Sequence, residues 1–319
     1  MTCCGPVKVF ACDFDRTMIA GCSGSTAIRV VFGDMDVRLS LKQINELLPH
    51  ELPKVSEALL KPLVEPLRAM FAARADAGEM QDRSKWFDAD RTRAGAMVWH
   101  LYDVLESHVG AMYAYKWLTC WLGGRSESDL EAFGRRTAEV GERVGIHSEE
   151  IPLALGDRWE KVRWTWGMAR RPATVALCEA YAAKEVRTTI VTASLAPVVR
   201  GVVQAWKLPV HTVVGQQMPV ICGVWQPDLA KMTALHDATK VSALKAQHPD
   251  HEIVAAAGDS LGDVGLLGLP TVQTQHVIHT NSKKMRDAGW YAPQKNREVL
   301  FWGDDDPACE SKQPPLWRV

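Results

Sequence analysis

Apolar residues follow two rhythms along the chain. Val7–Asp13 is a short apolar run that stops at a carboxylate, the pattern of a buried parallel strand. From Ser23 to Gly167 there is no comparable strand run, and Leu, Val, Met and Ala recur at helical spacing. Leu52–Met80 has that spacing, with Pro62 and Pro66 expected to kink or divide it. Ala89–Leu122 continues helically until Gly123-Gly124. Ser126 followed by Asp129 predicts a helix start ahead of Leu130–Val144. Beyond Pro172 the pattern alternates. Helices are expected at Ala173–Lys184, Leu195–Trp206 and Lys240–Gln247, with a short one at Gly262–Leu267. Strands are expected at Val186–Thr192, Val210–Val214, Glu252–Ala257 and Thr271–Gln273, with a hairpin around Pro219–Val224. Alternation of this kind predicts a parallel sheet with crossover helices. The first strand must join strands that begin far downstream, so a helical block interrupts an α/β domain. The expected boundaries are 1–22 and 168–303 for the core, 23–167 for the inserted cap and 304–319 for an acidic, Pro-rich, disordered tail.

Composition narrows the class. The chain has 319 residues, 47% of them apolar and 24% charged, which is enough to bury a sizeable core and excludes intrinsic disorder. Lys and Arg number 37 against 38 Asp and Glu, a net charge of −1. No general attraction to nucleic acid or to an anionic membrane follows from that balance. No apolar run reaches the roughly 18 residues that span a bilayer, and the N-terminus does not read as a signal peptide. Eight cysteines are too dilute for a disulfide scaffold and read as reduced thiols of a cytoplasmic protein. The expected partner is a small molecule, with no nucleic acid and no membrane.

Four pieces carry candidate chemistry. Asp13-Phe14-Asp15-Arg16-Thr17 directly follows the first strand, and alternation turns Asp13 and Asp15 to the same side, at the edge where open α/β sheets bind ligands. Two carboxylates that close repel each other, and a bound cation such as Mg²⁺ relieves the repulsion. Thr192 ends the strand Val186–Thr192. Lys240 stands at a helix start, with Lys231 and Lys245 as neighbours. Gly258-Asp259-Ser260-Leu261-Gly262-Asp263 ends another strand with two more carboxylates.

In that order, these residues resemble the motifs of the haloacid dehalogenase superfamily of phosphotransferases: DxDxT at Asp13, Asp15 and Thr17, the strand-end hydroxyl at Thr192, the lysine at Lys240, and GDxxxD at Asp259 and Asp263. The insertion after the first motif resembles the helical cap of the phosphoserine-phosphatase-like branch. The resemblance implies a Rossmann-like core carrying an all-helical cap, and a Mg²⁺-dependent phosphomonoester hydrolase. Asp13 would be the nucleophile and Asp15 the general acid and base. Asp13, Asp259 and the Asp15 carbonyl would hold the metal, with Asp263 orienting that shell. Thr192 and Lys240 would bind phosphoryl oxygens. One departure bears on substrate: phosphoserine phosphatases carry a Glu nine residues after the nucleophile, and here that position is Cys22.

Other readings compete. Gly258–Gly262 also matches G-x-S-x-G, which would make Ser260 a serine nucleophile with His276 or His279 as its base. A catalytically idle binding protein is a further alternative. Arg158–Arg171, rich in Arg and Trp, reads as an amphipathic helix leading back to the core or as a roof over the site.

Overall fold

Strand β1 (Lys8–Cys12) lies in the middle of a six-stranded parallel sheet, although it comes first in the chain. The structure, a computed structural model, describes residues 6–49, 51–52, 55–80, 82–155, 158–280, 282–292 and 294–301. The expected tail at 304–319 lies outside the described residues. After β1 come β2 (Ile19–Gly21) and the helices α1 (Ser23–Asp34), α2 (Leu41–Leu47), α3 (Glu57–Asp76), α4 (Asp88–His108), α5 (Ala111–Cys120) and α6 (Glu127–Val144). The strands β3 (His147–Leu155), β4 (Arg158–Trp166) and β5 (Met168–Arg170) follow, then α7 (Pro172–Ala182), β6 (Arg187–Leu195), α8 (Ala196–Trp206) and β7 (Thr212–Gln216). The chain closes with the hairpin β8 (Val220–Ile221) and β9 (Val224–Trp225), α9 (Ala238–Gln247), β10 (Glu252–Gly258), α10 (Val264–Leu267), β11 (Thr274–His279) and β12 (Arg297–Phe301). The sheet order is β12-β11-β10-β1-β6-β7.

This is the expected Rossmann-like parallel core. Phe10 and Cys12 point to the face packed by Ile190, Val199 and Trp206, while Ala11 points to the other face, with Val191, Leu244 and Ala256. Burial on both faces makes β1 and β10 read as unbroken apolar runs.

The inserted segment departs from an all-helical cap. The strands His147–Leu155 and Arg158–Trp166 pair antiparallel, and Arg158–Trp166 is a strand where a helix was expected. The period is two. Ile151, Leu153 and Leu155 are buried while Pro152 and Ala154 are exposed; across from them Val162, Trp164 and Trp166 are buried while Lys161 and Arg163 are exposed. The alternating Arg, Lys and Trp imitate an amphipathic helix because long basic side chains sit among large apolar ones. Two smaller expectations also shift. Helix α3 runs through Pro62 and Pro66 without dividing, held by the stripe Leu60, Leu63, Val64, Leu67 and Phe71. The expected strand Thr271–Gln273 forms later, at Thr274–His279.

Core and insertion are joined by a two-stranded ribbon, β2 with β5. Glycine is required on both of its arms. Gly21 has φ +89° and Gly167 φ +96°. A Cβ on Gly21 would lie 2.3 Å from the Gly167 carbonyl oxygen, and one on Gly167 would lie 1.8 Å from that of Gly145. No described helix is long and apolar enough to cross a membrane.

Candidate active site

The register of β1 decides where its carboxylates go. Cys12 pairs with Ala257 of β10 on one side and with Ile190 of β6 on the other. The next residue of each strand end therefore lies at one edge of the sheet, and the Asp13 amide donates to the Ala257 carbonyl at 3.0 Å. The chain then turns sharply. The amides of Thr17, Met18 and Ile19 all donate to the Phe14 carbonyl, which folds Asp15 and Thr17 back over the strand end.

A cavity of about 210 Å³ opens over this edge, with Asp13, Asp15, Thr192, Lys240 and Asp259 on its wall. The Lys240 ammonium, one turn into α9, donates to Asp13 Oδ1 at 2.5 Å and to Asp263 Oδ1 at 2.6 Å. The Thr17 hydroxyl donates to Asp13 Oδ2 at 3.1 Å and approaches Asp259 Oδ1 at 3.4 Å. The other Asp263 oxygen accepts from the Asp259 amide, the Ser260 amide and the Ser260 hydroxyl. Asp13, Thr17, Lys240, Asp259 and Asp263 thus form one hydrogen-bonded set. The neighbouring lysines Lys231 and Lys245 take no part in it: Lys231 pairs with Asp228.

Asp15 sits apart from that set. Its carboxylate accepts from the Ser23 amide at 2.5 Å, the Ser23 hydroxyl at 3.0 Å and the Ser194 hydroxyl at 2.7 Å. Ser23 begins α1 and Ser194 lies at the end of β6, so the insertion and the core clamp this side chain together. The Thr192 hydroxyl accepts from the Ser194 amide at 3.0 Å.

Electrostatics at the floor are strained in a specific way. Burial, then Asp263, pushes the Asp13 carboxyl well above the usual carboxylate range. The same two causes push Asp259 up to about 7. Burial pulls the Lys240 ammonium down, but Asp13 and Asp263 outweigh it and the net shift is upward. Carboxylate oxygens of Asp13, Asp259 and Asp263 lie within 4.8 Å of one another, all buried. Hard oxygen donors crowded in this way, and reluctant to ionise together, suit a small divalent cation.

The competing serine reading has a different geometry. Ser260 caps the short turn at Leu261–Asp263, donating to Asp263 at 2.8 Å and accepting from the Gly262 amide at 3.2 Å. His276 bonds to the Tyr181 hydroxyl at 2.8 Å and faces Glu298 at 3.0 Å, while His279 stacks against Tyr291. The hydrogen bonds of Ser260 run to its own turn, not to a histidine.

The insertion supplies residues that sequence reading did not single out. Trp99, Tyr102, Asp103 and Glu106 of α4 and Tyr115 of α5 line the same cavity as Asp13, Asp15 and Asp259. Trp99 stacks on Tyr102 with ring centroids 4.8 Å apart, and Tyr102 on Tyr115 at 6.2 Å. Helical spacing of 99, 102 and 106 was the available signal, but nothing in it indicates that this face meets a sheet edge. Cys22, at the position of the missing Glu, is a thiol that burial, then Asp15, pushes up to about 12.

Comparison with known proteins gives the following. A family model described as haloacid dehalogenase-like hydrolase matches residues 117–268, a span containing Thr192, Lys240, Asp259 and Asp263. No curated protein matches the sequence. Among solved structures, a conserved, functionally unknown protein from Anaerococcus prevotii DSM 20548 is similar, with TM-score 0.72 and 15% identity over 93% of this chain and 85% of that one. A protein with unknown function from Bordetella pertussis Tohama I is similar at TM-score 0.54 and 14% identity, over 92% and 98% of the two chains. At these identities the likeness concerns the fold.

Proposed function

We propose that the chain, whose residues 117–268 match the haloacid dehalogenase-like hydrolase family, hydrolyses a small phosphomonoester with Mg²⁺ as cofactor and Asp13 as nucleophile. The observation that carries this reading is the single hydrogen-bonded set of Asp13, Thr17, Lys240, Asp259 and Asp263, of which Asp13, Lys240 and Asp259 line one cavity.

An Asp13 carboxylate oxygen forms a bond to phosphorus as the phosphorus–oxygen bond to the alcohol breaks. The electron pair leaves on the alkoxide oxygen, which takes the proton carried by Asp15. Asp15, now a carboxylate, takes a proton from water, and the water oxygen attacks phosphorus. The acyl phosphate bond breaks, inorganic phosphate leaves and Asp13 is restored. The clamp from Ser23 and Ser194 holds Asp15 in reach of both protons. The Thr192 hydroxyl and the Lys240 ammonium bind phosphoryl oxygens and offset the developing charge. Asp13, Asp259 and the Asp15 carbonyl would hold Mg²⁺, with Asp263 orienting them, and the ion would screen the nucleophile from the phosphate dianion. The aromatic wall from α4 and α5 excludes water from the leaving group.

The test is hydrolysis of para-nitrophenyl phosphate and of a panel of phosphorylated metabolites, with Mg²⁺ and with chelator. Asp13→Asn is expected to lower kcat by about 10³-fold or more, since no covalent intermediate can form. A variant as active as wild type refutes the nucleophile. A folded wild type that turns over no phosphomonoester favours a binding role.

A further inference from the structure

Arg16 has a backbone conformation that argues against its own side chain. Its φ is +61°, in the left-handed region that glycine enters freely and other residues enter at a cost. Six described non-glycine residues share a positive φ, and of these Arg16 is the one on the cavity wall. The strain is held from both sides. The Arg16 amide donates to the Gly21 carbonyl at 3.2 Å, and the buried Arg171 guanidinium donates to the Arg16 carbonyl at 3.0 Å. Backbone strain that the surroundings over-determine, located at a site, points to a function for the side chain.

The surroundings say which function. Arg16 stands between Asp15 and Thr17 and lines the cavity together with Asp259 and Cys22 on the sheet side and with Tyr115 and Tyr102 on the insertion side. It therefore spans the junction between the carboxylate floor and the aromatic wall. The other cation of the floor, Lys240, is already shared between Asp13 and Asp263. A phosphate dianion entering this cavity meets the carboxylates of Asp13, Asp15, Asp103, Glu106 and Asp259 on its wall, so positive charge beyond that of Lys240 favours its binding. A guanidinium fork suits that task, because it can donate two parallel hydrogen bonds to two phosphoryl oxygens.

We infer that Arg16 is a substrate-binding residue whose guanidinium holds non-bridging oxygens of the transferred phosphoryl group, between Asp13 and the Tyr102–Tyr115 wall. The inference rests on the phosphomonoesterase reading and adds a phosphate contact to it.

The experiment uses the full chain with Mg²⁺, comparing wild type with Arg16→Gly and Arg16→Lys. Three quantities are read: the midpoint of thermal unfolding, the dissociation constant for inorganic phosphate by calorimetry, and KM and kcat for para-nitrophenyl phosphate. Glycine relieves the backbone, so Arg16→Gly should unfold at the wild-type temperature or above it. It should weaken phosphate binding and raise KM at least ~10-fold, the loss of a charge-assisted hydrogen bond to an oxyanion. Arg16→Lys keeps the charge without the fork and should fall between the two. A purely structural arginine would give the opposite pattern, with lower stability and phosphate affinity within two-fold of wild type, and that result overturns the inference. So does a KM increase confined to one ester with unchanged phosphate affinity, which would assign Arg16 to the leaving group. If Arg16→Gly does not fold, Arg16→Lys with unchanged phosphate affinity overturns it equally. Wild type that binds phosphate but hydrolyses no ester fails the phosphatase reading alone, and the calorimetric comparison still decides Arg16.

Discussion

Asp103 stands one helical turn before Glu106 on the cavity wall, and its environment disfavours its charge. Burial, then Glu106, pushes its carboxyl up to about 7, against a weaker opposing pull from Arg16. The folded value lies above the unfolded one of about 3.9, so as pH rises the unfolded chain releases this proton first. Asp103 therefore contributes stability at low pH, and that contribution fades between about pH 4 and pH 7. Asp103→Asn removes the charge and keeps the shape. It should raise unfolding free energy at pH 8 by on the order of 2–4 kcal/mol and leave it nearly unchanged near pH 4. Urea unfolding at the two pH values measures this, and an equal effect at both would remove the explanation. The same residue illustrates what a sequence does and does not disclose at this scale. Asp13, Asp15, Asp259 and Asp263 are legible because each follows an apolar run that stops abruptly, and strand ends of an open sheet share an edge. Asp103, Ser194 and Arg16 give no such signal. Their significance comes from which elements meet across the cavity, and in Arg16 from a dihedral angle.

Helix α6 of the insertion crosses α8 of the core at glycines on both helices. A Cβ on Gly134 would lie 2.1 Å from the Val198 carbonyl oxygen, and one on Gly201 would lie 2.1 Å from that of Glu131. Backbone atoms cannot yield as the end of a flexible side chain can, so an added methyl must push the helices apart. Gly201→Ala should destabilise by about 2–3 kcal/mol, although alanine is the better helix former. Gly33→Ala is the contrast. That glycine ends α1 with only the tip of Arg29 near its would-be Cβ, at 3.4 Å. It should gain about 0.5–1 kcal/mol. Chemical denaturation of both variants separates contact from propensity, and a stabilised Gly201→Ala would mean the crossing is looser than described. The element scale is also where periodicity misleads. Helix α6 announces itself through the capping box of Ser126 and Asp129, and the structure closes that box. The strand β4 does not announce itself: its period of two is carried by Val162, Trp164 and Trp166, and the intervening Lys and Arg suit a helix face equally well. The prolines of α3 mislead in the other direction. Their local penalty is outweighed by a five-residue apolar stripe buried along the same helix.

The molecule assembles its floor from both ends of the chain, and that carries a thermodynamic consequence. Order along the sequence made this legible: a first strand with two carboxylates needs partners, and only strands beyond Pro172 have matching runs. Its price in stability was not legible, because burial of the carboxylates depends on the closed sheet edge. Asp13 and Asp259 both take up protons more readily folded than unfolded. Their contribution to stability is therefore present at low pH and lost as pH rises, for Asp259 between about 4 and 7. A divalent cation reverses the penalty by binding the folded state alone, and protons compete with it. At about 100 times its dissociation constant a ligand adds about 2.7 kcal/mol. For a chain of this size that corresponds to a rise of about 5 °C in the unfolding midpoint. Mg²⁺ should produce that rise at pH 8, and the rise should shrink toward pH 5, where Asp259 holds its proton. Asp259→Asn should behave oppositely in each respect. Without metal it should unfold at a higher temperature than wild type, because one buried charge is gone, and added Mg²⁺ should barely move it. A scan of both proteins at the two pH values, with Mg²⁺ and with chelator, tests the linkage. An equal metal-induced shift in wild type and Asp259→Asn would mean that the ion stabilises some other part of the molecule.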